Sequence, residues 1–264
     1  MSETIRITHR NGVAEIALAR ESVHNAFDEA LIAELTAALD AAGSDAKVRA
    51  VVLTGNGSTF SAGADLNWMR SMASASEAAN RDDSLRLARL MRTLNFLPKP
   101  TIARVNGSAY GGGVGLVACC DIAIGVEGAK FSLSEAKLGL VPAVISPYVV
   151  AAIGLRQARK LFVSAEVFDA TEAARIGLLH ETVSPAQLDE AIERTLHFLR
   201  KCGPLAQHEA KQLALRVAGI THESSERIDA DNAALIARLR VSTEGQEGLT
   251  AFLEKRAPGW ARES

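Results

Sequence analysis

Two short segments hold the residues best suited to chemistry: Phe60-Ser61-Ala62-Gly63-Ala64-Asp65 and Asn106-Gly107-Ser108-Ala109-Tyr110-Gly111-Gly112-Gly113. Each places small residues where an apolar strand ends and a helix is expected to begin. Backbone N–H groups at such a junction point outward with the helix dipole behind them. Two of them converging on one point form an oxyanion hole, and larger side chains there would block a substrate carbonyl. The chemistry implied is the stabilisation of negative charge on an oxygen by backbone rather than by side chains.

The elements that must position these segments are legible around them. Ile5 and Ile7, then Val13, Ile16 and Leu18 beyond Asn11-Gly12, alternate as a hairpin does. Asn25, with Asp28 three positions on, opens a helix whose Phe27, Leu31, Leu35 and Leu39 share a face. Ala50–Thr54 is a short apolar run ended by Gly55 and reads as a buried strand. Helical spacing covers 84–97 and stops at Pro98 and Pro100. Strand-like Thr101–Val105 feeds the second glycine-rich segment, Val114–Cys120 reads as a buried helix, and 121–126 and 130–133 read as strands. From Pro185 the pattern is helical, with breaks expected at Gly203-Pro204, Gly219 and Gly245. The chain therefore divides into an α/β body, 1–195, that repeats a strand–strand–helix theme, and a helical tail, 196–264. Leu205, Leu213, Leu215, Ile228, Leu235 and Leu239 lie at helical spacing in the tail and must pack on the body or on a neighbouring subunit.

Composition narrows the function classes. A hydrophobic share of 48% and a charged share of 23% are ordinary for a soluble globular protein. A net charge of −2 with scattered Lys and Arg argues against a nucleic-acid partner. The three cysteines, with Cys119 and Cys120 adjacent in an apolar stretch, have neither disulfide nor metal spacing and read as small core residues. No apolar run reaches the length of a membrane span, and the first twenty residues carry no secretory pattern. The expectation is a cytoplasmic protein with no membrane and no nucleic-acid partner.

The sequence resembles the crotonase family, the enoyl-CoA hydratase/isomerase superfamily, over essentially the whole chain. The resemblance rests on Ser22-Val23-His24-Asn25-Ala26, on the two glycine-rich segments with Cys120-Asp121-Ile122-Ala123 behind them, and on Ala129–Glu135. It continues through Gly139-Leu140-Val141-Pro142, Ala174–Leu179 and Phe252–Arg256, in that order and at matching separations. It implies an α/β fold, a crotonase-like spiral of ββα repeats with a helical C-terminal trimerisation region, assembling as a homotrimer or a dimer of trimers. It also implies an acyl-CoA thioester as substrate, with no further cofactor and no metal. By position, the N–H groups of Ala64 and Gly112 would hold the thioester oxygen as it becomes an enolate. Ser22, His24 and Ala26, with Ala62, Asp65 and Leu66, would line the CoA site, and Lys255 would approach the CoA phosphates from a neighbouring subunit. Gly111, Gly115, Pro142 and Ser146 are expected at the substrate.

Hydratases of this family usually carry two glutamates for proton transfer. The second is present as Glu135, the expected acid/base; the position of the first is occupied by Gly115. The alternative role for Glu135 is a salt bridge to Lys137 or Lys130. Asp121 and Asp65 read as structural residues rather than as replacement carboxylates. Phe60–Met69 and Leu138–Tyr148 resemble a bacterial branch associated with methylglutaconyl-CoA hydration in leucine or isoprenoid degradation, where a small residue at the Gly115 position belongs to the pattern. Gly115 is then expected to open volume for the substrate's branch, with Ser146 or the substrate's distal carboxylate helping to position water. Residues 68–84, including Trp68, Met69 and Met72, are expected to cover the acyl pocket, and Arg70, Arg81, Arg86 and Arg89 are candidates to face a distal carboxylate. The resulting expectation is reversible hydration of 3-methylglutaconyl-CoA to 3-hydroxy-3-methylglutaryl-CoA. The alternatives are an enoyl-CoA isomerase, a hydratase of another acyl-CoA, or a non-catalytic acyl-CoA- or RNA-binding protein.

Overall fold

Alternation from Ile5 onward folds into the expected hairpin, β1 (Ile5–Arg10) against β2 (Val13–Leu18). Asn11 and Gly12 at its tip take φ of 51° and 76°, the left-handed values that a tight hairpin turn requires. The structure is a computed structural model and describes residues 4–261. Asp28 caps α1 (Glu29–Ser44) by accepting from the Leu31 N–H at 2.8 Å.

Three successive turns then lay down one strand in each of two sheets. β3 (Ala50–Gly55) is followed by β4 (Thr59–Ser61), β5 (Thr101–Val105) by β6 (Ser108–Tyr110), and β7 (Ile122–Val126) by β8 (Lys130–Ser132). The first turn continues into α2 (Leu66–Ser74) and α3 (Glu77–Asn95), and the second into α4 (Gly112–Cys119). The third continues into a 3-10 turn at Ser134–Leu138 and then α5 (Ser146–Ser164). Next come β9 (Phe168–Asp169), α6 (Ala170–Arg175) and β10 (Glu181–Val183). The larger sheet has the order β1-β2-β3-β5-β7-β10 and the smaller β4-β6-β8-β9. From β2 to β10 the larger sheet is parallel, so its strands are covered on both faces, and every residue of β3 is buried. This is the spiral of ββα turns that the resemblance implies.

Two asparagines fix the corners where the chain passes between sheets. Asn106 accepts from the Gly55 N–H at 3.0 Å and donates to the Gly57 carbonyl at 2.9 Å. Buried Asn25 donates to the carbonyls of Asn56 and Thr59, at 2.9 and 2.8 Å. Phe27, Phe60 and Phe131 are fully buried between the layers, each worth about 1.5–3 kcal/mol in area removed from water.

The tail comprises α7 (Leu188–Arg200), α8 (Pro204–Val217), α9 (His222–Arg240) and α10 (Thr243–Leu253). Buried Asp229 on α9 pairs with Arg92 on α3, and Ile236 and Leu249 pack with Leu140 and Ala143 of the body. By contrast α8 buries none of its residues and exposes Leu205, Leu213 and Val217. Several boundaries differ from the sequence reading. The helix expected to open at Asn25 begins at Glu29 behind Asp28, because Asn25 is spent on the Asn56 and Thr59 carbonyls and Phe27 bridges Ala64. The helix expected at 84–97 begins at Glu77, capped by Ser76, because Asn80, Asp83 and Ser84 are polar residues on its buried face and hide the apolar periodicity. Gly245 does not break the tail: it lies inside α10 against the Leu239 carbonyl, and the break falls at Val241 with Ser242 as cap. No helix among the described residues is long and apolar enough to cross a membrane.

Candidate active site

The two glycine-rich segments come together because β4 and β6 are adjacent parallel strands, with Ser61 opposite Ala109. Where β4 ends, Ala64 is held from both sides: the Phe27 N–H donates to Gly63 at 2.6 Å, and the Asp65 N–H donates to Phe27 at 2.8 Å. The Asp65 carboxylate caps α2 through the N–H groups of Asn67 and Trp68, and is itself paired with Arg20 at 3.2 Å. Where β6 ends, Gly111 takes φ 48° and Gly112 becomes the first residue of α4. Neither the Ala64 nor the Gly112 N–H donates to an acceptor among the described residues. Two backbone donors are thus left unspent at the mouth of a helix, where its dipole favours an anion. A β-carbon at Gly112 would lie 2.6 Å from the Phe27 ring, so only glycine lets the chain pass there.

Glu135 follows β8 in the 3-10 turn, which continues the third strand pair just as α4 continues the second. Its carboxyl lies next to the second donor segment: a β-carbon at Gly111 would be 3.3 Å from Oε1. Oε2 is sealed from solvent and has no hydrogen-bond partner. No ion pair involving Glu135 occurs among the described residues, which removes the salt-bridge alternative with Lys137 or Lys130. Burial pushes the carboxyl up to about 7, opposed by a hydrogen bond from its own backbone amide. A buried polar atom without a partner is rare and costs stability, which marks Glu135 as a candidate functional group.

These groups open on one cavity of about 270 Å³, enough for a short acyl chain but not for a whole CoA thioester. Ala62, Ala64, Gly111, Gly112, Glu135 and Pro142 all line it, as do Trp68, Met69 and Met72 of the expected cover. Val144 and Ile145 contribute an apolar wall to it. Gly115 is not part of that wall, and the expectation that it opens volume for a branched substrate is corrected. A β-carbon at Gly115 would sit 2.3 Å from Cγ2 of Ile145 and 3.2 Å from the Met91 methyl, so the space left by the missing side chain is filled by Ile145. Ser146 also stands outside the cavity lining, and its hydroxyl donates to the Ala143 carbonyl at 2.7 Å.

The remaining predicted residues fall into two groups. Ser22 and His24 are exposed on the 3-10 turn before buried Ala26, and the His24 carbonyl accepts from the Ala62 N–H at 2.9 Å. Leu66 is exposed at the start of α2, while Asp65 is buried and structural. None of these residues lines the cavity. Lys255 lies far along the chain, exposed after α10 with φ 55°. Asp121 is structural, accepting from Thr101 and pairing with Lys211 at 2.9 Å. Cys119 and Cys120 are buried, and burial raises both thiols, Cys120 to about 12.

None of the four arginines proposed to face the acyl group lines the cavity. Arg70 donates to Asn67, Arg86 pairs with Glu29 and Asp83, Arg89 pairs with Asp40, and Arg81 is exposed. The arginine that does line it is Arg240, the last residue of α9. Sequence reasoning missed Arg240 and Ile145 because each reaches the cavity from an element whose place is set by tertiary packing, with no local motif to mark it.

A sequence profile described as Enoyl-CoA hydratase/isomerase matches residues 8–263. The chain is 34% identical to the 2,3-dehydroadipyl-CoA hydratase of Escherichia coli, over 98% of both chains. It is 32% identical to the human mitochondrial methylglutaconyl-CoA hydratase, over 99% of this chain and 78% of the other. A crystal structure of an enoyl-CoA hydratase from Shewanella pealeana is 43% identical and superposes with a TM-score of 0.80, over 97% of this chain and 96% of the other.

Proposed function

The chain belongs to the enoyl-CoA hydratase/isomerase family and is a hydro-lyase of the enoyl-CoA hydratase type; on that premise we propose that it reversibly hydrates 3-methylglutaconyl-CoA to 3-hydroxy-3-methylglutaryl-CoA. The observation that carries the mechanism is the unpaired, buried carboxyl of Glu135 beside two unspent backbone donors in one cavity. The thioester oxygen accepts from the Ala64 and Gly112 N–H groups. Water attacks Cβ while Glu135 takes its proton, and electrons move through Cα to the oxygen to form an enolate. Glu135 then returns the proton to Cα, the carbonyl reforms, and one water has been added. Donors of this kind contribute about 2.7–4 kcal/mol each to lowering such a barrier.

A single carboxyl suffices because the proton it removes from water is the proton it gives to carbon. Ile145 fills the place of a second side chain beside Gly115, so no second carboxyl stands there. The reading requires no cofactor beyond the CoA thioester. On this reading Ser22, His24, Ala26 and Leu66 meet the CoA moiety outside the acyl cavity. The exposed apolar α8 is suited to self-association as a trimer or a dimer of trimers, with the tail from 196 as the oligomerisation region on the body 1–195. Two relatives bear the names of methylglutaconyl-CoA and 2,3-dehydroadipyl-CoA hydration, which favours an acyl group ending in a carboxylate.

A second reading is favoured by the same lone carboxyl: an isomerase needs only one proton shuttled between two carbons. Mass spectrometry of the product separates them. Hydration adds the mass of one water to 3-methylglutaconyl-CoA, and isomerisation adds nothing. Glu135→Gln is expected to lower kcat by about a thousandfold, within the span for a general acid–base group; retention of most activity removes Glu135 from the mechanism.

A further inference from the structure

We propose that Arg240 selects for substrates whose acyl group ends in a carboxylate, by offering its guanidinium to that carboxylate at the end of the cavity formed by the tail. The proposal deepens, and rests on, the reading of the cavity as an acyl-CoA hydration site. Arg240 is the final residue of α9, its side chain 16% exposed, and it lines the same cavity as Glu135 and the two donors. The surroundings of that end are apolar: Met69, Met72, Leu249 and Phe252. A cation reaching an apolar pocket needs a reason to be there, because burying charge is costly.

The way it is held supplies that reason. Nη1 alone is spent on the protein, donating to Asn80 at 3.1 Å and to Asp83 at 3.2 Å. Asp83 is held in turn by the Trp68 indole N–H at 3.1 Å and by Arg86 at 3.4 Å. The guanidinium is thereby fixed at one corner of its fork, and no protein acceptor is assigned to Nη2 or Nε. Arginine bonds a carboxylate through two parallel N–H groups, and a fork held by its third corner is ready to do so. If Arg240 were only a clasp between α9 and α3, the second cation of the lining, Lys137, would have to do the selecting. Lys137 is exposed on the turn that carries Glu135, where solvent screens it.

The test compares kcat/KM for 3-methylglutaconyl-CoA with that for 3-methylcrotonyl-CoA, which has the same branch and no second carboxylate. Wild type is expected to favour the acidic substrate. Arg240→Gln, and the charge-balanced pair Asp83→Asn/Arg240→Gln, are expected to lower the acidic-to-neutral ratio at least tenfold. Arg240→Lys, which keeps the charge but not the fork, should fall between. Lys137→Gln should leave the ratio where it was. The proposal is overturned if wild type shows no preference for the acidic substrate, if the Arg240 variants lower both substrates by the same factor, or if Lys137→Gln moves the ratio instead. A wild type that hydrates neither substrate would instead count against the hydration reading itself.

Discussion

On the cavity wall Glu135 keeps a sealed carboxyl oxygen with no partner; outside the lining, the carboxylate of Asp83, 1% exposed, is met by Arg86 and by two residues that do line the cavity, Trp68 and Arg240. Both groups are pushed up by burial. For Asp83 that push is opposed by Arg240 and by hydrogen bonds, while Glu135 has only its own backbone amide against it. On the proposed reading the difference separates chemistry from recognition. A group that must take up and release a proton gains from an unsettled environment, whereas a group that must aim another side chain gains from a settled one.

The contrast predicts opposite responses to removing each carboxylate. Asp83→Asn leaves Arg240 without its charge partner and should destabilise the fold by about 3–5 kcal/mol, measured by urea unfolding. A loss below ~1 kcal/mol would break the comparison, since Asp83 would then hold nothing in place. Gly115→Ala sharpens it from the other side by pressing on the apolar wall that Ile145 gives the cavity. The new methyl meets Ile145 and should cost about 1–3 kcal/mol. Ile145→Ala in the same chain should recover part of that, giving a coupling of about 1 kcal/mol in a double-mutant cycle. Additive effects would show that Ile145 does not occupy the place of the missing side chain.

The two regions also differ in how far they could be read from sequence. The donor region is local: Phe60–Asp65 and Asn106–Gly113 carry their small residues in continuous segments, and adjacent parallel strands bring the two together. Glu135 was recognisable through the family resemblance of Ala129–Glu135, not through any pattern of its own. The region around Asp83 is assembled from residues 68, 83 and 240, on three helices, and no spacing along the chain links them. Its polar groups even concealed the start of α3, since buried Asn80, Asp83 and Ser84 break the apolar rhythm. Gly115 was visible as a departure, yet its consequence was not, because whether an absent side chain leaves a hole depends on a neighbour thirty residues away in sequence, Ile145.

The central claim is that one carboxyl, Glu135, handles every proton in the reaction, and the pH dependence of kcat/KM tests it most directly. Hydration begins with Glu135 as carboxylate, since it must accept a proton from water, and dehydration begins the same way, since it must accept one from Cα. Lowering the pH below the folded value of about 7 therefore removes the active form in both directions. The profile for hydration of 3-methylglutaconyl-CoA should rise with unit slope at acid pH, bend near 7 and stay level above it, with the bend absent from the residual activity of Glu135→Gln. A bell-shaped profile, or a bend that survives in Glu135→Gln, would contradict the account.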